Sequence, residues 1–206
     1  MTSTSFFNIF LLGALACLLG LAISRGALLY ARGVHVLAVD WQRTPLQGVA
    51  DLLALIVVIW WAYEAVAFSW PRSTHVVRGV LGAVLFDSVA VKLIGVLMVL
   101  AGLVIFALAL WSFADSWRIG IDRNAPGALV TSGIFAWTRN PIYIALDLIF
   151  SGTFLLQGRT IFLLLALALI ALLHYEVRRE EAYLTSAYGD TYREYCARVG
   201  RYVTRR

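Results

Sequence analysis

The chain has 206 residues, of which 61% are hydrophobic and 14% are charged, and its formal net charge is +5. A soluble domain carries charge on about a quarter of its residues, so this composition argues against a soluble protein and predicts helices that face lipid. Cys17 lies in an apolar run and Cys196 in a charged segment, so we expect no disulfide and no metal site. We also expect no nucleic-acid partner.

The predicted elements are membrane-spanning helices. A hydrocarbon core about 30 Å thick requires about 20 apolar residues in a helix. Four stretches approach or exceed this length and a fifth is short; in chain order the five are Phe6–Ser24, Val49–Ser69, Val89–Phe113, Ile142–Leu156 and Thr160–Tyr175. Neither strand-like alternation nor a dinucleotide fingerprint is present. The sequence therefore predicts an all-α, polytopic membrane protein that forms a single domain over residues 1–206.

The distribution of basic residues predicts the orientation of the chain. With five spans, thirteen Lys and Arg residues fall on the side of the C-terminus and four on the other side. Loops rich in Lys and Arg stay on the cytoplasmic side of a membrane. We therefore predict a cytoplasmic C-terminal tail, in the inner membrane of a cell or an equivalent membrane.

The last two spans form a hairpin whose turn is centred on Gly158. Residues Arg139 to Tyr143 lie 15 to 19 positions before this glycine, and Glu176 to Glu181 lie 18 to 23 positions after it. Because a helix rises about 1.5 Å per residue, both segments arrive at nearly the same depth. The sequence therefore predicts that Thr-Arg-Asn-Pro-Ile-Tyr and Glu-Val-Arg-Arg-Glu-Glu lie side by side at one membrane boundary.

The segment after Glu176 continues the fifth helix and is predicted to break at Gly189, since glycine suits a left-handed helix end. Beyond it, Tyr192, Tyr195, Val199 and Tyr202 form one stripe. This pattern predicts an amphipathic helix that lies on the membrane or covers a pocket. As a group, the tail tyrosines are expected to be interfacial anchors.

Short motifs in the second half of the chain resemble the isoprenylcysteine carboxyl methyltransferase and phospholipid methyltransferase superfamily. They are Ser-Trp-Arg-Ile-Gly-Ile at 116–121, Leu-Val-Thr-Ser-Gly at 129–133, Arg-Asn-Pro-Ile-Tyr at 139–143, Glu-Glu-Ala-Tyr-Leu at 180–184, Tyr-Gly-Asp-Thr-Tyr at 188–192 and Val-Gly-Arg-Tyr at 199–202. No single motif is specific to this superfamily, but the order of the motifs around a helical hairpin is. The resemblance covers roughly residues 90 to 203, which divides the domain into variable spans over 1–88 and a cofactor-binding core over 89–206.

The resemblance implies an S-adenosylmethionine-dependent methyltransferase whose lipophilic acceptor enters from the bilayer. A prenylcysteine carboxylate, a phospholipid amine and a thiol are all open as acceptors. The cofactor pocket would be formed by the last two spans and the tail. The implied cofactor-binding residues are Thr131, Gly133, Arg139, Asn140, Pro141, Tyr143, His174, Glu180, Glu181, Tyr188 and Tyr192; the residues assigned to catalysis are Arg139, Tyr143 and Asp147.

The residue types fit such a ligand, which needs carboxylates for its amine or hydroxyls, an Arg for its carboxylate, and aromatic rings. Each residue also has a structural alternative. Arg139 could instead bind a lipid phosphate, and Glu180 and Glu181 could form a solvated face paired with Arg178 and Arg179. His174 either donates to the cofactor or marks the membrane boundary.

Two positions depart from expectation. The family pattern has His where this chain has Asn140, and Asn cannot titrate; Asn140-Pro141 is also the pattern of a helix cap followed by a first-turn proline. Asp147 and Glu64 are ionisable groups within spans, which are costly and mark function. Asp147 either lines the pocket floor or is a protonated acid bonded to Ser151 or a neighbouring helix, whereas Glu64 favours a structural pairing.

Two other function classes are compatible with the pattern. The last helices resemble those of sterol reductases, so an NADPH-dependent membrane enzyme is one alternative. A transporter or a non-catalytic scaffold is the other, and it would use Asp147, Glu64 and Lys92 as a polar pathway. The oligomeric state is open.

Overall fold

The computed structural model describes residues 3–32, 44–70, 79–113 and 129–202. Within these ranges the elements are α1 (Ser3–Ala31), α2 (Pro45–Ser69), a 3₁₀ turn (Gly79–Gly82), α3 (Val89–Ser112), a second 3₁₀ turn (Gly133–Ala136), α4 (Pro141–Gln157) and α5 (Thr160–Arg198). Four of the α-helices are long and apolar enough to cross a membrane, and α4 is a shorter apolar helix. The prediction of an all-α polytopic membrane protein is confirmed. The motif at 116–121, and the basic residues at 43, 72, 78, 118, 123, 205 and 206 used for orientation, lie outside the described residues.

Most helices extend beyond the predicted spans. Helix α1 continues past Ser24, so that Arg25 lies inside the helix and not in a loop. Helix α2 begins at Pro45, where Thr44 and Gln47 form a reciprocal capping box. The apolar runs therefore predict the central part of these helices and not their ends.

Helices α3 and α4 pack at very short range because glycines line their contact. A Cβ added at Gly95 would lie 2.8 Å from the carbonyl oxygen of Gly152, and one at Gly102 would lie 2.7 Å from that of Ala145. Small residues let helix backbones approach closely in a membrane. This contact fixes α4, the shortest of the α-helices, in the bundle.

The turn end of the α4–α5 hairpin is joined to the segment before α3. Helix α4 ends at Gly158 in the left-handed conformation, with φ of 61°. The Gly158 carbonyl accepts from Leu85 N at 2.7 Å, and Thr160 N donates to the Ala83 carbonyl at 3.1 Å. Arg159 Nη1 donates to the Gly82 carbonyl at 2.7 Å. The predicted turn at residues 157–159 is confirmed.

Helix α5 bends at Gly189, where φ is 55°, as predicted. Beyond the bend, Tyr192, Tyr195 and Val199 are buried against Leu129. Tyr195 Oη donates to the Phe135 carbonyl at 2.6 Å. The expectation that the tail tyrosines are interfacial anchors as a group is therefore wrong for Tyr192 and Tyr195, because the bend turns them into the protein.

Candidate functional site

The start of α4 meets the middle of α5 at Glu181. Asn140 Nδ2 donates to Glu181 Oε1 at 3.2 Å, and Arg139 Nη2 lies 3.4 Å from the same oxygen. One turn further along α4, Tyr143 Oη donates to Glu180 Oε2 at 2.9 Å. The two segments that were predicted to reach the same depth are therefore in direct contact.

Glu181 is the centre of a charged cluster. Arg201 Nη2 and Nε lie 2.7 Å and 2.9 Å from its second oxygen, Oε2. Glu181 is 8% exposed, and its two carboxylate oxygens are shared between two guanidinium groups and one amide. Its hydrogen bond raises the pKa of Arg201 above the ordinary value. Two cations around one anion leave this cluster with a net positive charge.

The alternative of a solvated glutamate face is wrong for Glu181, because its partners are Arg139 and Arg201. Arg179 pairs with Asp51 of α2 at 2.6 Å and with Glu176 at 2.9 Å. These contacts place the carboxylate of Glu181 inside the protein and the guanidinium of Arg179 against α2.

Asn140 occupies the N-cap position of α4, but its side chain does not cap the helix. Its carbonyl accepts from Ile144 N at 3.2 Å, while its amide group donates to Glu181 and also to the Arg201 carbonyl at 3.2 Å. The predicted capping hydrogen bond is therefore wrong, since both amide hydrogens serve acceptors in the tail. Pro141 does occupy the first turn, as predicted.

The tail is fastened to the start of α4 by backbone as well. Arg139 N donates to the Gly200 carbonyl at 3.1 Å, and Thr138 Oγ1 donates to the Arg201 carbonyl at 3.2 Å. Cys196 contacts the Arg139 guanidinium. Sequence reasoning did not name Thr138, Cys196 and Arg201 as members of the site. Thr138 carried a signal through the Thr-Arg-Asn-Pro-Ile-Tyr segment and Arg201 through the Val-Gly-Arg-Tyr motif.

His174 lies in a second polar cluster, six residues before Glu180 on α5. Its Nε2 accepts from Arg178 Nε at 3.2 Å, so Nδ1 carries the ring proton that bonds the Tyr202 hydroxyl. The two rings stack with centroids 6.0 Å apart. Burial raises the pKa of Tyr202, and the charge of Asp147 adds to this effect. His174 therefore links α5 to the tail.

The remaining predicted residues differ in their surroundings. Thr131 is exposed. Gly133 has φ of 62°, and a Cβ there would lie 2.4 Å from Ser112 Oγ, so the turn against α3 requires a glycine. Tyr188 packs at the edge of the buried Tyr192 cluster.

Several buried polar atoms of the site have no hydrogen-bond partner within the described part of the chain. They are Arg139 Nε, Asp147 Oδ1 and Tyr192 Oη. The hydrogen bond from Asp147 to Ser151 or to a neighbouring helix, one of the sequence alternatives, is not formed by this oxygen. Most buried polar atoms in proteins are satisfied, so this group is what a ligand-binding region would present. Away from this region, Glu64 Oε1 accepts from Trp60 Nε1 at 3.1 Å, which fits the structural pairing expected for it, while its Oε2 is also buried without a partner among the described residues.

Comparison with known proteins decides the family. A family model described as phospholipid methyltransferase matches residues 71–191, more than half of the chain. The chain belongs to the phospholipid methyltransferase family. This confirms the resemblance, and the matched range contains α3, α4, α5 as far as residue 191, and the two glutamates of the site.

A curated relative extends the comparison to isoprenylcysteine methyltransferases. The chain is 38% identical over 82 residues to the protein-S-isoprenylcysteine O-methyltransferase of Schizosaccharomyces pombe. The alignment covers 39% of this chain and 35% of that relative. Since the chain spans only about a third of the relative's length, the similarity identifies the superfamily and leaves the acceptor open.

Proposed function

We propose that this phospholipid methyltransferase family member transfers a methyl group from S-adenosylmethionine to a lipophilic, membrane-accessible acceptor. The observation that carries the proposal is the contact of Arg139 and Asn140 with Glu181, beside the Tyr143–Glu180 pair. It gathers cations, carboxylates and aromatic rings at one end of the hairpin, in a region where buried polar atoms lack partners.

The residues present fit this cofactor. Arg139 Nε is a free buried donor for a carboxylate, and Tyr192 Oη is a free buried hydroxyl. Glu180 Oε2 accepts from Tyr143, and in the proposed site the carboxylate also accepts from an amine or a ribose hydroxyl. Glu181 is saturated by Arg139, Asn140 and Arg201, and acts by positioning them. In the proposed site, these residues act together with Thr131, Gly133, Pro141, His174 and Tyr188.

When bound, S-adenosylmethionine supplies an electrophilic methyl group on a cationic sulfur. The chain's own residues have to orient the reacting atoms and exclude water, which lowers the barrier without a metal ion. We assign the orienting roles to Arg139 and Tyr143 at the start of α4, and the acceptor side to Asp147. The aromatic faces of the tail add cation–π attraction for the sulfonium.

The first experiment separates the function classes and tests the carboxylate assignment. Calorimetric titration of the purified protein should show binding of S-adenosylhomocysteine and none of NADPH. Glu180→Gln should weaken that binding about 10- to 150-fold, because a charged hydrogen bond contributes about 1.5 to 3 kcal/mol. Glu194→Gln, which removes an exposed carboxylate from the tail, is the control and should bind as the parent does. Binding of NADPH alone would favour a reductase, and no binding of either would favour a transporter or scaffold.

The second experiment tests the cytoplasmic orientation proposed for the site. In a Cys17→Ser background, Cys196 is the remaining thiol of the chain. A membrane-impermeant maleimide should label Cys196 only after cells are permeabilised, since the tail is proposed to face the cytoplasm. Labelling of intact cells from outside would reverse the orientation of the site.

A further inference from the structure

Cys196 lies in the site but has no role in the proposed methyl transfer. It belongs to the tail segment of α5, and its Sγ accepts a hydrogen bond from Arg139 Nη1. The side chain is half-buried and packs against the cluster of Tyr192, Tyr195 and Val199. A partly accessible thiol beside a guanidinium is typical of cysteines that react, whereas cysteines buried among apolar groups are inert.

The hydroxyl of Tyr192 is a second feature of the same place. Tyr192 is 2% exposed, and its Oη has no hydrogen-bond partner among the described residues. Cys196 follows it by one helical turn, so the two side chains lie on one face, and the thiol is close enough for its charge to act on the hydroxyl. A buried hydroxyl without a partner is costly. An oxygen atom bonded to the sulfur of Cys196 would supply an acceptor for it.

The charge around the thiol favours an anionic group. Arg139 and Arg201 share the carboxylate of Glu181, which leaves a net positive charge beside Cys196. This charge acts strongly on an anion because Glu181 and its partners are largely shielded from water. A sulfenate, the anion of an oxidised thiol, carries its negative charge on the oxygen bonded to sulfur. Arg139 and Tyr192 are therefore placed to stabilise that oxygen.

We propose that Cys196 is a modification site, at which a hydroperoxide oxidises the thiol to a sulfenic acid that Arg139 and Tyr192 stabilise. The deprotonated sulfur attacks one oxygen of the peroxide, and the sulfur–oxygen bond forms as the oxygen–oxygen bond breaks. The leaving oxygen takes the electron pair of the broken bond and the proton released by the thiol, and it departs as water or an alcohol. The sulfur is thereby oxidised and the peroxide reduced, so that atoms and electrons balance.

The modification acts on the proposed cofactor site, and this part of the inference rests on the proposed function. Arg139 and Tyr192 are both assigned to the cofactor there. A sulfenate at Cys196 would engage both groups and add a negative charge where the carboxylate of the cofactor has to bind. Oxidation should therefore weaken cofactor binding. Treatment with a thiol should restore it, since a sulfenic acid condenses with a thiol to a disulfide, which further thiol reduces.

The first test compares two single-thiol proteins treated with hydrogen peroxide. One is Cys17→Ser, which retains Cys196; the other is Cys17→Ser/Cys196→Ser/Ala197→Cys, whose thiol lies at the next, exposed position of the same segment. Trapping with dimedone and mass spectrometry measure the rate of sulfenic acid formation. We expect Cys196 to react at least about tenfold faster than the more exposed thiol at position 197. Tyr192→Phe, added to Cys17→Ser, should slow the reaction about 3- to 10-fold.

The second test titrates S-adenosylhomocysteine into Cys17→Ser before and after peroxide treatment. The affinity should fall at least about tenfold on oxidation and return after treatment with dithiothreitol. Cys17→Ser/Cys196→Ser is the control, and peroxide should leave its affinity at the value measured before treatment.

The outcomes separate this inference from the proposed function. Equal trapping rates at Cys196 and at position 197 would overturn the modification site and leave the methyltransferase proposal standing. Unchanged affinity after complete oxidation would overturn the competition with the cofactor. If Tyr192→Phe does not fold, as thermal unfolding would show, the ratio of the two trapping rates decides alone. If untreated Cys17→Ser does not bind S-adenosylhomocysteine, the proposed function fails, and the trapping rates still decide the modification site.

Discussion

The two ends of the α4–α5 hairpin are held together in different ways. At the turn end, Gly158, Arg159 and Thr160 each form hydrogen bonds with backbone groups of the segment before α3. At the other end, side chains that are far apart in sequence make most of the contacts, as between Asn140 and Glu181, alongside the backbone bond from Arg139 N to the Gly200 carbonyl. Unpartnered buried atoms occur at this second end, at Arg139, Asp147 and Tyr192, and none lies in the described segments 79–88 and 154–160.

Because of this difference, we assign stability of the fold to the turn end of the hairpin and ligand binding to the site end. Backbone groups are present whatever the side chains are, and at the turn end they satisfy each other, so that end needs no ligand. Side chains at the site end are only partly satisfied, and the missing partners are those that a charged ligand supplies. We expect substitutions at the turn to lower the stability of the fold, and substitutions at the site to act on ligand affinity as well.

The largest effect is expected at Gly158. Gly158→Ala places a Cβ 2.1 Å from the Phe86 carbonyl oxygen at a φ of 61°, so it should lower the free energy of unfolding by at least about 2 kcal/mol. Thermal unfolding in detergent measures this loss. Gly20→Ala in α1, where nothing lies within 4 Å of the new Cβ, is the control and should not be destabilised. S-adenosylhomocysteine affinity well below the transition should stay within about threefold; a larger loss would show that the two ends are not separable.

An intermediate effect is expected at Asn140. Asn140→Asp removes both donors and sets a second carboxylate 3.2 Å from the acceptor oxygen of Glu181, whereas Asn140→Ala only removes the donors. Although Asp is closer to Asn in shape than Ala is, we expect Asn140→Asp to be the more harmful variant. It should lower the free energy of unfolding by about 1 to 3 kcal/mol. Proteolysis of the tail measures the loss of its attachment to α4, and titration with S-adenosylhomocysteine measures the change in affinity. If Asp is tolerated better than Ala, the side chain acts as a helix cap and not as a tether to the tail.

The smallest effect is expected at the Asp87–Lys92 charge pair of the turn end, in which the Asp87 side chain is exposed. The hydrogen bond and charge of Lys92 lower the pKa of Asp87 below its ordinary value of 3.8, so the stabilisation is present above that pH and is lost as the pH falls through the lowered value. Asp87→Asn should therefore unfold at a slightly lower temperature than the parent at neutral pH. The two proteins should converge in strong acid. A difference in unfolding temperature that persists in strong acid would assign the effect to packing around Lys92.

Much of this architecture is readable from the sequence because it depends on length and hydropathy. The five apolar helices, the turn at Gly158 and the break at Gly189 each follow from one local rule. The contact between the segments at Asn140 and Glu181 follows from counting residues along two legs of a hairpin, since both legs rise by the same amount per residue.

The partners of individual side chains could not be read in this way. Asn140 carries the local pattern of a cap, but an acceptor 41 residues away takes its amide. Likewise, the stripe of tail tyrosines predicts an amphipathic helix, and only the bend at Gly189 determines that Tyr192 and Tyr195 face the protein. Whether a side chain contacts a local or a distant partner depends on three-dimensional positions that hydropathy does not encode.

The tight turn at Gly158 also ties the chemistry to helical phase. Since the turn is anchored, one residue inserted into α5 before Glu181 would rotate that side chain by about 100° and move it about 1.5 Å along the axis. Seven inserted residues would restore the phase to within about 20° but displace Glu181 by about 10 Å, two turns past Asn140. Only equal changes of whole turns in both legs preserve the contact. The length of the hairpin legs and the alignment of the site therefore cannot change independently of each other.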